Sequence, residues 1–146
     1  MNIDKLREEI EADEGCKYEI YLDHLGLPTF GIGHLVLDID PEYGEEVGTP
    51  VSEDRVSTCF NRDVHTVLSE CERLYEDFAD LPEDVQRIIA NMMFNMGYPR
   101  LSKFKGMKAG VDARDWNQAA DEMVDSVWYR QVTNRADRLV ERMRRI

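Results

Sequence analysis

The stretch EGCKYEIYLDHLGLPTFGIGHL, residues 14–35, fits neither a helix nor a single strand. It opens on a carboxylate, Glu14, meets Gly15 at once, passes Asp23 and Thr29, and closes on Gly31-Ile32-Gly33-His34. From Tyr18 to Leu37, aromatic and β-branched residues alternate with Asp, Gly and Pro, as in short strands joined by turns. Gly26 and Pro28 suit a tight turn, while Gly31 and Gly33 permit close backbone approach. A hairpin of this kind is expected to fold back and present Asp23 and Thr29 towards Glu14.

Outward from this hairpin the period changes to that of helices. Ile3, Leu6 and Ile10 mark one face of a helix over 3–13, which Gly15 ends. Residues 38–50, with two Gly, two Pro and several acids, read as an exposed loop. Ser52 is placed to cap a helix whose first turn holds Glu53 and Asp54. Val56, Phe60, Val64, Val67 or Leu68, Cys71, Leu74 or Tyr75, and Phe78 continue that helix to about residue 78, a length of roughly 25 residues. Pro82 suits a helix start. Val85, Ile88, Ile89, Met92, Met93 and Met96 then form a broad apolar face, read as core filling in place of a cofactor site. Gly97 ends that helix, with Pro99 beyond. Short helices are expected near 101–108 and 113–124, the second capped by Asp112. A compact turn should carry Trp128 and Tyr129, and a last helix should span 134–144.

The sum is an α+β fold in one domain over 1–146. The expected N-terminal lobe covers about 14–60, and the helical lobe about 72–146 plus the helix over 1–13. A helix over about 52–78 connects them, and a cleft between the lobes is where a ligand is expected.

The bulk composition narrows the function. A 42% hydrophobic and 33% charged chain of 146 residues can bury one core, and suits a soluble globular protein. A net charge of −12 argues against nucleic acid as partner, because phosphate-tracking surfaces concentrate Lys and Arg. The acidic, amphipathic start MNIDKLREEIEADE reads as neither export signal nor anchor, so a cytoplasmic origin without stable membrane association is expected. Cys16, Cys59 and Cys71 lack paired spacing and read as isolated thiols. His24, His34 and His65 lack zinc-site spacing, and Asp38, Asp40 and Glu42 miss the EF-hand pattern. No metal or cofactor is expected.

Two carboxylates nine positions apart carry little by themselves in a chain with 30 acidic residues. The glycine pair could equally suggest a phosphate loop, but neither G-x-G-x-x-G nor a terminal Lys-Ser/Thr is present. A glycosidase would use both carboxyls. One, protonated, donates to the leaving oxygen, and the other stays ionised to activate water or face oxocarbenium charge.

The run Glu14-Gly15, Tyr21-Leu22-Asp23, Gly26, Thr29 and Gly31-Ile32-Gly33-His34-Leu35 resembles the active-site signature of the phage-type lysozymes, glycoside hydrolase family 24. The resemblance continues in order through Phe60–Val64, Asn91–Gly97, Phe104, Trp116–Ala120, Ser126–Tyr129, Gln131–Ala136 and Arg138. It implies Glu14 as general acid, Asp23 as second catalytic carboxylate and Thr29 as holder of the attacking water. Inversion at the anomeric carbon follows on the same analogy. The resemblance pairs His34 with Asp63 as a lobe anchor, sets Arg135 near the catalytic acid, and makes Leu35, Phe94 and Asn95 substrate-lining.

On this basis the chain is expected to be a muramidase, a monomeric phage endolysin acting on peptidoglycan glycan strands. It would wait in the host cytoplasm and reach the wall after release through the inner membrane. The other readings are an inactive glycan- or protein-binding relative and a chitin-type hydrolase. Several positions depart from the family's best-known member. Asn95 stands where that member has Gln, and Met107 and Glu122 stand where it touches saccharide with Ser and Asn. The chain also stops soon after RADRLVERMRRI, so a smaller or differently closed helical lobe is expected. Family members are typically basic, whereas this chain is acidic, which predicts repulsion from an anionic wall.

Overall fold

Asn2 starts the first helix by accepting the Lys5 amide on its side chain at 3.0 Å. In the computed structural model, which describes residues 1–146, helix α1 spans Ile3–Glu14. Its last amide bond is followed by Gly15 at φ +75°, a left-handed value that turns the chain into the sheet. Strands β1 (Lys17–Leu22), β2 (Pro28–Gly31) and β3 (His34–Leu35) form one antiparallel sheet in the order β1-β2-β3. Tyr21 faces Thr29, and Thr29 faces Leu35, so these three side chains share a sheet face. The register shifts between Lys17 and Tyr21, an irregularity in which β1 spends two more residues than β2.

Helix α2 runs over Glu53–Leu74, four residues short of the expected end. Ser52 caps it as expected, its hydroxyl accepting the Arg55 amide at 3.1 Å. Beyond Leu74 the chain breaks into a 3₁₀ turn, Phe78–Asp80, whose buried Phe78 continued the apolar stripe in the sequence without continuing the helix. The remaining helices are α3 (Glu83–Met96), α4 (Tyr98–Leu101), α5 (Lys105–Asp112), α6 (Trp116–Val124), α7 (Val127–Gln131) and α8 (Thr133–Arg144).

Three details differ from the sequence expectation. The helix placed near 101–108 begins at Lys105 and runs to Asp112. Asp112 is therefore the last residue of α5, pairing with Lys108, and the cap of α6 is Asp115, which accepts the Gln118 amide at 3.0 Å. Trp128 and Tyr129 lie in a short helix instead of a turn, because Ser126 accepts the Tyr129 amide at 3.1 Å and so starts one.

The chain divides into two compact units, residues 7–66 and residues 1–6 with 67–146. The fold is α+β: a small sheet-bearing unit and a mostly helical one, with α1 and α2 each running from one into the other. In the first, Ile10, Ile20, Phe30, Ile32, Val56 and Phe60 are buried. In the second, α3 is buried along most of its length, with Ile88, Ile89, Met92 and Met93 sealed. Burying each such side chain contributes about 1.5–3 kcal/mol. Gly110 lets α5 press on α6: a Cβ there would lie 2.7 Å from the Ala119 backbone nitrogen. Arg142 of α8 reaches Asp84 of α3 at 2.6 Å and ties the last helix to the core helix.

Candidate active site

Glu14 is the last residue of α1 and is half-buried. Its carboxyl rests on the Gly31–Gly33 turn. A Cβ added to Gly33 would stand 2.8 Å from Glu14 Oε1 and 2.9 Å from its Cδ. The helix end thus delivers the carboxylate onto the hairpin's glycine turn, within the unit of residues 7–66.

Asp23 follows β1 directly and holds the hairpin loop together. Its Oδ1 accepts the amides of Leu25 at 2.8 Å and Leu27 at 2.9 Å, an Asx-type turn. Both bonds fall on Oδ1 and fix the carboxylate's orientation. Thr29 on β2 is buried, and its hydroxyl donates to the Leu27 carbonyl at 3.0 Å. With its proton committed, Oγ1 has lone pairs left to accept a further hydrogen bond.

Tyr21, which the signature contained without a role, belongs to this group. It is half-buried and paired across the sheet with Thr29, and the Lys17 ammonium lies 4.4 Å from its ring centre. Burial, then the charges of Glu14 and of Asp23, hold its phenol above the ordinary tyrosine range, so it stays neutral beside both carboxylates.

His34 follows Gly33 and is buried. The expected partner is present: Nδ1 lies 2.7 Å from Asp63 Oδ2 on α2. A second partner was not foreseen, since Nε2 lies 2.8 Å from Asp40 Oδ2. Burial lowers the imidazole's proton affinity, but the hydrogen bonds and charges of Asp63 and Asp40 outweigh it and leave the pKa raised. With a carboxylate on each nitrogen, the protonated ring can donate to both at once. Asp40 also accepts the Leu37 amide at 2.8 Å and Arg55 Nη2 at 3.1 Å, and Arg55 grips Glu42 at 2.9 Å. Asp40 and Glu42 of the loop's acidic run are thus held by His34 and Arg55. Burial works against the Asp40 carboxylate, yet these donors and charges depress its pKa.

The remaining expected residues sit on β3, α3 and α8. Leu35 is exposed on β3, on the face that carries Thr29. Phe94 and Asn95 sit half-buried on α3 in the helical unit, where Asn95 Oδ1 accepts Trp128 Nε1 at 2.7 Å. Arg135, near the start of α8, is buried, and its Nε donates to Asn91 at 2.8 Å. Met107 is fully buried, and the Glu122 carboxyl lies over Gly106. Both line a cavity of about 480 Å³ with Lys103, Phe104, Lys105 and Trp128, so cations, a carboxylate and aromatic rings converge there.

The family model described as phage lysozyme matches residues 11–145. The chain is similar to the probable T4-type lysozyme 2 of Dictyostelium discoideum, 27% identical over 94% of this chain and 92% of that one. It is also 28% identical to the pre-baseplate central spike protein Gp5 of Enterobacteria phage T4, over 92% of this chain but only 26% of that protein's length. The peptidoglycan hydrolase gp36 of Pseudomonas phage phiKMV is 25% identical over 94% of this chain and 15% of its own. The match over nearly the whole length places the chain in a family: it belongs to the phage lysozymes.

Proposed function

We propose that the protein is a muramidase that hydrolyses the β-1,4 bond between N-acetylmuramic acid and N-acetylglucosamine, with inversion. Glu14 gives its proton to the glycosidic oxygen as the bond from the muramic acid anomeric carbon breaks. A water molecule bonds to that carbon from the opposite face. It donates one hydrogen bond to Thr29 Oγ1 and its departing proton to Asp23. Leu35, Phe94 and Asn95 are assigned to the glycan strand. His34 and Asp63, with Asp40, hold the hairpin to α2, and Arg135 supports the helical unit through Asn91.

One observation carries this reading: the carboxyl of Glu14 rests on the same hairpin that fixes Asp23 and buries Thr29. Membership of the phage lysozymes supports a hydrolase of this class. The names of the Dictyostelium and phiKMV relatives support peptidoglycan as substrate. The cavity of mixed charge favours peptidoglycan over chitin, because stem peptides carry both carboxylates and ammonium groups while chitin has no peptide. The proposed setting is a monomeric phage endolysin that meets the wall once the inner membrane is breached.

The test is reducing-end release from purified peptidoglycan by the wild type and by Glu14→Gln, with anomer analysis of the first product. A fall of roughly a thousandfold in the variant is expected, since a positioned acid contributes about 10²–10⁴-fold. The first product should be the α-anomer. Undiminished activity in Glu14→Gln overturns the assignment, and an initial β-anomer overturns inversion.

A further inference from the structure

Glycines with positive φ occur at several turns of this chain, but only Gly33 combines that backbone with the Glu14 carboxyl lying on its Cα. At Gly15, Gly26 and Gly44, with φ of +75°, +77° and +83°, an added Cβ would meet nothing within 4 Å. At Gly33, with φ +62°, it would meet Oε1 at 2.8 Å, Cδ at 2.9 Å and Cγ at 3.1 Å of Glu14. At Gly31 it would meet Val56 of α2 at 2.9 Å, so the other glycine of the turn is seated on the helix instead.

From this contact we infer that Gly33 is a positioning residue for Glu14, its bare Cα being the surface against which the carboxyl is held. The inference rests on Glu14 as the general acid and adds what fixes its place.

Two further features make the turn a stop and not a cushion. His34, the next residue, is gripped on both ring nitrogens by Asp63 and Asp40, at 2.7 and 2.8 Å. Gly31, two residues earlier, is packed on the Val56 side chain of α2. Between these anchors the backbone at Gly33 has little room to retreat. A methyl group there must displace the more flexible partner, the end of the Glu14 side chain. Moving an acid by about 1 Å from its line to the leaving oxygen is enough to lower turnover about a hundredfold.

The test compares Gly33→Ala with Gly44→Ala in the full chain, on purified peptidoglycan. Both variants carry the strain of a side chain at positive φ, but only the first puts a methyl against Glu14. Expected for Gly33→Ala is a kcat reduced about a hundredfold with KM within a few-fold, and a displaced limb in its pH–rate profile where the acid titrates. Gly44→Ala should keep wild-type kcat and pH profile. A third protein carries D-alanine at position 33, introduced by ligating a synthetic 1–58 segment to residues 59–146 at Cys59. Its methyl points away from Glu14 and its backbone accepts positive φ, so it should recover most of the turnover lost in Gly33→Ala. The inference is overturned if Gly33→Ala keeps its kcat, or if the D-alanine protein loses as much turnover as Gly33→Ala. Glu14→Gln, measured alongside, separates the two levels: activity there removes the acid assignment itself, whatever the Gly33 variants do.

Discussion

Thr29 does two things with one hydroxyl. Its proton closes the hairpin loop on the Leu27 carbonyl, and its lone pairs are left for a water molecule. Thr29→Val keeps the branched shape but removes both, so kcat should fall about 10- to 100-fold with KM nearly unchanged. Stability should fall by about 1 kcal/mol for the lost hydrogen bond. Thr29→Ser, which restores the hydroxyl, should recover most of the turnover. A fully active Thr29→Val would remove Thr29 from the reaction. At this scale the sequence was informative where a residue's type and its neighbours already limited its chemistry. Glu14 before a glycine and Thr29 in a short strand are such cases. Asp23 was harder, because its Asx turn is the ordinary work of an aspartate in a loop, and the catalytic proposal uses the oxygen which that turn leaves over. Tyr21 and Gly33 stood in the signature, but no role for either was legible there. Their meaning lies in distances to Glu14 that only the folded hairpin creates.

At the scale of elements, the loop over 38–50 is fastened to α2 by charge. Asp40 and Glu42 reach Arg55, and Asp40 and Asp63 share the His34 imidazolium. His34 has a raised folded pKa, so its contribution is fully present below the free imidazole value of about 6.5 and is lost as pH rises through the folded value. Asp40 has a lowered one, so its contribution is present above about 3.9 and is lost as pH falls through its folded value. Thermal stability should therefore hold a plateau between these limits and decline on the alkaline side. Asp40→Asn should lower stability by roughly 3 kcal/mol at neutral pH, since it leaves a buried cation short of a partner. It should also move the alkaline decline to lower pH. Melting temperatures of the two proteins across pH 4 to 9 measure this, and superimposable profiles would contradict it. The pairing of His34 with Asp63 was expected, whereas Asp40 and Arg55 were not. In the sequence, Asp38, Asp40 and Glu42 form an acidic run with no local cation, and the cation arrives from the first turns of α2. Helix positions were legible from periodicity and caps, as at Ser52 and Gly97. Their ends were less so where an apolar stripe ran past the helix, as at Phe78, or where two aspartates competed as caps, as at Asp112 and Asp115.

Across the whole molecule the charge is unevenly shared. Residues 7–66 hold 15 of the 30 acidic residues but only 4 of the 18 basic ones, so nearly all of the net −12 belongs to the unit that carries Glu14, Asp23 and Thr29. A wall bearing anionic polymers should repel that unit at long range, and added salt should relieve the repulsion within a Debye length of about 10 Å at 0.1 M. Activity on purified peptidoglycan should thus rise from very low to moderate ionic strength. A flat or falling profile would show that long-range repulsion does not limit encounter. The α+β class and the order of elements were readable from the change of period between the hairpin and the helices, and the family from residues spread between Glu14 and Arg138. The cavity of the helical unit was not, because Lys103, Glu122 and Trp128 come from three separate segments. The central claim concerns the bond that is cut. Borohydride reduction of the products of exhaustive digestion, followed by acid hydrolysis and sugar analysis, labels the new reducing end. The account predicts muramitol, whereas glucosaminitol or a 1,6-anhydromuramic product would contradict it.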